Sequence, residues 1–139
     1  MDQTEIQRFA EQWIAYQLTQ RPGAQNAEGR DAPGFAVVIR MMEIVADDRP
    51  AAVAICAEIA RQSGDPWILE ILGAGSLEDL LADNGEDVLQ DYLVHAKDNP
   101  NFRQALHHVW HQSGRPAVWE QFIGIRDKLA LPRLPRRTD

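Results

Sequence analysis

The chain has 139 residues and a mass of 15.7 kDa, the size of one domain with room for a real core. Apolar residues make up 45% and charged residues 25%, which excludes a disordered or fibrous chain. A net charge of −7 argues against a nucleic-acid backbone as partner, and the single cysteine, Cys56, excludes an internal disulfide or a thiolate metal cage.

Helical periodicity runs through the whole sequence. Thr4-Glu5-Ile6-Gln7 reads as a capping box, with Asp2 as a rival cap, and Ile6, Phe9, Ala10, Trp13 and Tyr16 or Gln17 then form one apolar stripe to about Thr19. Arg21-Pro22-Gly23 breaks it, and residues 20–32 form the longest polar connection. Pro33 is expected to start a second helix, buried through Phe35, Val38, Ile39, Met42 and Val45, ending at Asp47-Asp48. Four prolines, Pro50, Pro66, Pro100 and Pro116, then mark helix starts, where the missing N–H would have had no partner anyway. Asp65 and Asn99 stand before two of them as side-chain caps. Stops fall at Ser63-Gly64, Gly73 or Gly75, Asn84-Gly85 and Ser113-Gly114. The implied helices are 51–62, 66–73, 77–83, 86–98, 100–112 and 116–130. No convincing strand pattern exists, so the expectation is an all-α array of about eight helices, with hairpins that could stack. Residues 1–130 make a single helical domain, and 131–139 an extended basic tail with Arg133, Arg136 and Arg137. The 16-residue spacing of Pro50 to Pro66 recurs from Pro100 to Pro116, which two similar hairpins explain without duplication.

No apolar run reaches the ~18 residues of a membrane span, and the start Met1-Asp2-Gln3-Thr4-Glu5 is too acidic for a signal peptide; the expected compartment is the cytosol. Charge is unevenly spread: residues 1–64 carry −3, 65–98 carry −8 and 99–139 carry +4.

Candidate sites are few. Gly73-Ala74-Gly75-Ser76 before Leu77-Glu78-Asp79 could cradle an anion at a helix start, but the two acids repel phosphate and no phosphate-loop lysine is present. The favoured reading is a capped start, with Ser76 as cap and Asp79 as the fourth residue of the box. Glu78, Asp79, Asp83, Glu86, Asp87 and Asp91 crowd into 14 residues without a calcium-loop ladder. They read as a solvated acidic face, or as a patch for a basic protein partner. His107 and His111 are spaced to share a metal, yet no zinc-protease glutamate lies between them, and with His108 they point away from the apolar face of Phe102, Leu106 and Val109. His95 has no supporting ligands either. Cys56 sits in an apolar helix segment, as a buried inert thiol does. Trp13, Trp67, Trp110 and Trp119 are expected in the core or between helices, with one of them open to being an interface anchor.

Leu77-Glu78-Asp79-Leu80-Leu81, Gly85, Ala96, Asn99-Pro100-x-Phe102-Arg103, Leu106 and Val109-Trp110 together resemble a family of small uncharacterised helical bacterial proteins, over about residues 65–120. The resemblance implies a helical fold and a bacterial source but no chemistry. Family members often have Pro at the Ser76 position and His at the Asn84 position, so no role of that His carries over. Gly85, as a helix stop, and Leu80 and Trp110, as core, have structural explanations.

The functional expectation is a non-catalytic bacterial binding protein of the immunity type, occluding a toxin domain through Asp79, Asp83, Glu86, Asp87 and Asp91, with no cofactor or metal. The alternatives are a small metal-dependent or acid–base enzyme using Glu78, Asp79, His107 or His111, and a homo-oligomeric regulatory or scaffolding protein.

Overall fold

A computed structural model describes residues 1–23, 34–110 and 115–131. Among these the chain is helical, with no strand: α1 (Gln3–Thr19), α2 (Phe35–Asp47), α3 (Arg49–Gln62), α4 (Pro66–Leu72), a π-turn (Gly73–Leu77), α5 (Glu78–Asn84), α6 (Glu86–Asp98), α7 (Pro100–Leu106) and α8 (Pro116–Lys128). Because α4, the π-turn and α5 run on as one rod, the described residues form seven helical rods.

Local chemistry accounts for most helix starts. All four expected prolines occupy a first or second helical position. Asp65 accepts from the Trp67 N–H at 2.8 Å and Asn99 from the Phe102 N–H at 3.2 Å, as read from sequence. Asp48 does the same for α3, accepting from Ala51 N–H at 3.2 Å. At the first helix Asp2, not the Thr4 box, is the cap: its carboxylate accepts from the Glu5 N–H at 2.8 Å, where the extra charge also favours the helix dipole. The Asn84-Gly85 stop is real, with Gly85 at φ +55°.

Helix α3 is the centre. Ala52, Val53 and every residue from Ile55 to Ala60 are buried, and α1, α2, α6, α7 and the π-turn all pack on it. Its small residues let neighbouring helices approach closely, α1 most extensively. On the far side, α6, α7 and α8 meet through an aromatic cluster. The Tyr92 ring lies 5.8 Å from Phe102 and 6.4 Å from Phe122, both edge-on, and Trp119 stacks on Phe122 at 5.1 Å. Two side chains tie distant elements: Asn99 Nδ2 donates to the Ala57 carbonyl at 3.1 Å, and Arg103 Nε to the Arg126 carbonyl at 2.9 Å.

Other expectations fail. The glycines at 73 and 75 do not stop a helix, and Ser76 caps nothing; the helix passes through them with one widened turn, in which Glu78 N–H bonds the Gly73 carbonyl five residues back. The reason is non-local: a Cβ on Gly73 would lie 2.1 Å from the Ala105 carbonyl oxygen, so glycine serves close approach to α7. Helix α7 stops at Leu106 instead of 112, its end tightened by bonds from His107, His108 and Val109 N–H to carbonyls three residues back. Ile39 and Met42, placed in the buried face of α2 from sequence, are 41% and 62% exposed; Val37, Met41, Ile44 and Val45 carry the burial. Pro33, the 113–114 stop and residues 132–139 of the tail lie outside the described residues.

Candidate functional site

The acidic segment divides into two groups, one on each side of the Gly85 turn. On α6 the carboxylates face arginines. Glu86 lies 3.4 Å from Arg115, and Asp87 and Asp91 lie 3.9 and 4.0 Å from Arg49 at the start of α3. The Arg49 contacts are longer than hydrogen bonds, and its Nε is buried without a hydrogen-bond partner. Arg49 therefore offsets the charge of two aspartates without fixing their geometry. Three of the five carboxylates expected at a partner surface are thus already partly neutralised from within the chain.

On α5 the situation differs. Asp79 and Asp83, one helical turn apart, are exposed and have no cation or hydrogen-bond donor at their carboxylates among the described residues. Partial burial holds the Asp79 carboxyl above its ordinary value, with further upward pressure from Asp83 and then Glu78. Glu78, one residue earlier, is partly buried, and its Oε1 accepts the backbone N–H of Trp110 at 2.7 Å. This bond joins the acidic end of α5 to the segment following α7.

That segment carries the feature that the sequence hides. Trp110 is 74% exposed, the most open of the large apolar side chains among the described residues, and not part of the core. Had α7 continued to 112, Trp110 would stand four residues after Leu106 on the same inward face. Because the helix ends at Leu106, Val109 remains buried and Trp110 is turned outward. The other tryptophans behave as expected: Trp13 is buried, Trp67 donates Nε1–H to the Gln17 carbonyl at 2.9 Å, and Trp119 stacks on Phe122.

The histidines are spread over different surroundings. His107 is exposed, and its pKa is lowered by burial of part of the ring and by Arg126, with Asp127 opposing, so it faces the end of α8. His95 is half-buried with its ring 5.4 Å from Phe102, and burial, then Arg61, lowers its pKa. His111 lies outside the described residues. Among the described residues no group of three or more His, Cys, Asp or Glu side chains is arranged to hold a metal ion. Cys56 is fully buried, and that burial raises its thiol pKa far above the ordinary range. None of the described helices is long and apolar enough to cross a membrane.

The surface this leaves is an exposed indole whose backbone is tied to Glu78 at the start of α5, with Asp79 and Asp83 exposed on that helix and facing no cation among the described residues. Such an arrangement can bind a cationic group by charge and pack an aliphatic or planar portion against the ring. A family model described as a family of unknown function (DUF6869) matches residues 24–129. The match agrees with the uncharacterised helical family that residues 65–120 resemble, and it extends well beyond them. No curated protein and no solved structure matches the chain.

Proposed function

The chain belongs to the DUF6869 family, whose function is unknown, and from its surface we propose that it is a non-catalytic domain binding a basic protein partner. The proposed mode is that of a bacterial immunity protein covering a toxin domain. The observation that carries the reading is Trp110, 74% exposed and tied through its backbone N–H to Glu78, which starts the same helix, α5, that exposes Asp79 and Asp83 with no cation facing them among the described residues. Protein interfaces concentrate their energy in a few aromatic anchors, surrounded by polar groups that orient the partner. Here the ring would supply the buried contact and the carboxylates long-range attraction, which accelerates encounter with a basic surface. Within the expected set the emphasis shifts to Asp79 and Asp83, since Glu86, Asp87 and Asp91 already face Arg115 and Arg49.

The test is capture, at low and high salt, of the product of the adjacent gene by the wild type, by Trp110→Ala and by Asp79→Lys/Asp83→Lys. The expected result is one stoichiometric partner, faster release from Trp110→Ala, and slower, less salt-sensitive association by the charge reversal. Equal rates for all three proteins would refute the reading. A homo-oligomeric role is the second reading, supported by the exposed Ile39 and Met42 on α2; light scattering on the purified protein separates a dimer from a monomer.

A further inference from the structure

The rod from Pro66 to Asn84 contains one residue more than a regular helix can hold while keeping its apolar face inward. From the buried pair Ile68 and Leu69 to the buried pair Leu80 and Leu81 is twelve residues in three turns. Three regular turns use about eleven residues. If α4 continued as a plain α-helix, the inward positions after Leu72 would be Ser76, then Asp79 and Leu80, then Asp83. In the structure they are Leu77, then Leu80 and Leu81, while Asp79 and Asp83 are exposed. The surplus is absorbed between Gly73 and Leu77, where Glu78 N–H reaches back five residues.

Two contacts hold the turn in place, and both come from other helices. Gly73 lies against the Ala105 carbonyl of α7 so closely that a Cβ there would also meet His108 Cβ at 2.7 Å. At its other end the fully buried Tyr92 of α6 donates its hydroxyl to the Leu77 carbonyl. Ala74, between these two points, is exposed.

We propose that this π-turn is a register device, locked by the Tyr92 hydroxyl, that sets which side chains α5 presents to solvent. With the surplus residue held in the turn, Asp79 and Asp83 face solvent; spread along the rod, it would rotate α5 by about one residue, roughly 100°, and carry them toward the core. Tyr92 and Gly73 are then positioning residues for Asp79 and Asp83. The importance of those carboxylates rests on the binding reading above, but the register itself does not.

The test is a pair of single-residue deletions, read by thermal unfolding and by carbodiimide labelling of exposed carboxylates with mass spectrometry. Deleting Ala74 removes the surplus and should leave a cooperative transition within a few degrees of wild type, with Asp79 and Asp83 labelled as before. Deleting Glu70, equally exposed but in a regular turn, should abolish cooperative unfolding or lower the midpoint by more than ten degrees. In Tyr92→Phe the ring stays in its aromatic cluster, and amide hydrogen exchange at Glu78 and Leu81 should accelerate about tenfold, the equivalent of one lost hydrogen bond. The proposal is overturned if the two deletions are equally damaging, or if exchange in folded Tyr92→Phe is unchanged. None of these readouts requires a partner, so their failure is distinct from a failure of the capture experiment.

Discussion

Alanine placed at two glycines of one helical turn should act with opposite sign. In the helix interior Gly→Ala ordinarily stabilises by about 0.5–1 kcal/mol through lost freedom of the unfolded chain. At Gly75 nothing lies within 4 Å of the added Cβ, so Gly75→Ala should show that full gain. At Gly73 the same methyl would sit 2.1 Å from the Ala105 carbonyl oxygen and 2.7 Å from His108 Cβ. A carbon–oxygen contact needs about 3.3 Å, so α7 must retreat by about 1 Å. Such a shift costs about 1–3 kcal/mol as overpacking and loosens the contacts of Phe102 and Leu106, which are fully buried nearby. After the backbone gain is subtracted, Gly73→Ala should lose about 1 kcal/mol. The two variants then differ by about 2 kcal/mol, and at roughly 3–6 °C per kcal/mol for a chain of this size they should melt about 8 °C apart, with wild type between them. Calorimetry or circular dichroism at one pH decides it. If Gly73→Ala melts at or above wild type, the close approach to α7 does not govern this turn.

Further outcomes follow from single contacts. Asn99→Ala removes both the α7 cap and the side-chain bond to the buried Ala57 carbonyl, and should cost about 1–3 kcal/mol in urea denaturation. Asp79 has its carboxyl raised in the fold, chiefly by desolvation, so its ionisation opposes folding. That penalty is full above the folded pKa and disappears as pH falls toward the unfolded value; Asp79→Asn should therefore raise the melting temperature at pH 7 and not at pH 3. Iodide quenching of tryptophan fluorescence should come mainly from one residue, and Trp110→Phe should remove most of it, whereas Trp13→Phe should not.

What could be read from the sequence was local. Asp65 before Pro66 and Asn99 before Pro100 define their helices within three residues, and both caps form. The missed features join residues far apart in the chain. Gly73 looks like a stop because the Ala105 carbonyl that requires it lies 32 positions later. Arg49 partly neutralises Asp87 and Asp91 from the start of another helix, which no spacing rule anticipates. Trp110 follows Leu106 at an inward helical spacing, and only the end of α7 at Leu106 turns it outward. The acidic face was legible as composition; its division into neutralised and unneutralised halves depends on tertiary contacts.

The central helix also constrains how such a domain can diversify. Ala52, Ala57 and Ala60 of α3 have no exposed surface, so a larger side chain at any of them would overpack the core around α3. The axis of the domain is thus a fixed mould, and the positions that tolerate substitution are the solvent-facing ones of α2, α5 and α6. Those positions can change one at a time without disturbing the frame. A designed library should accordingly randomise those outward positions and leave α3 untouched.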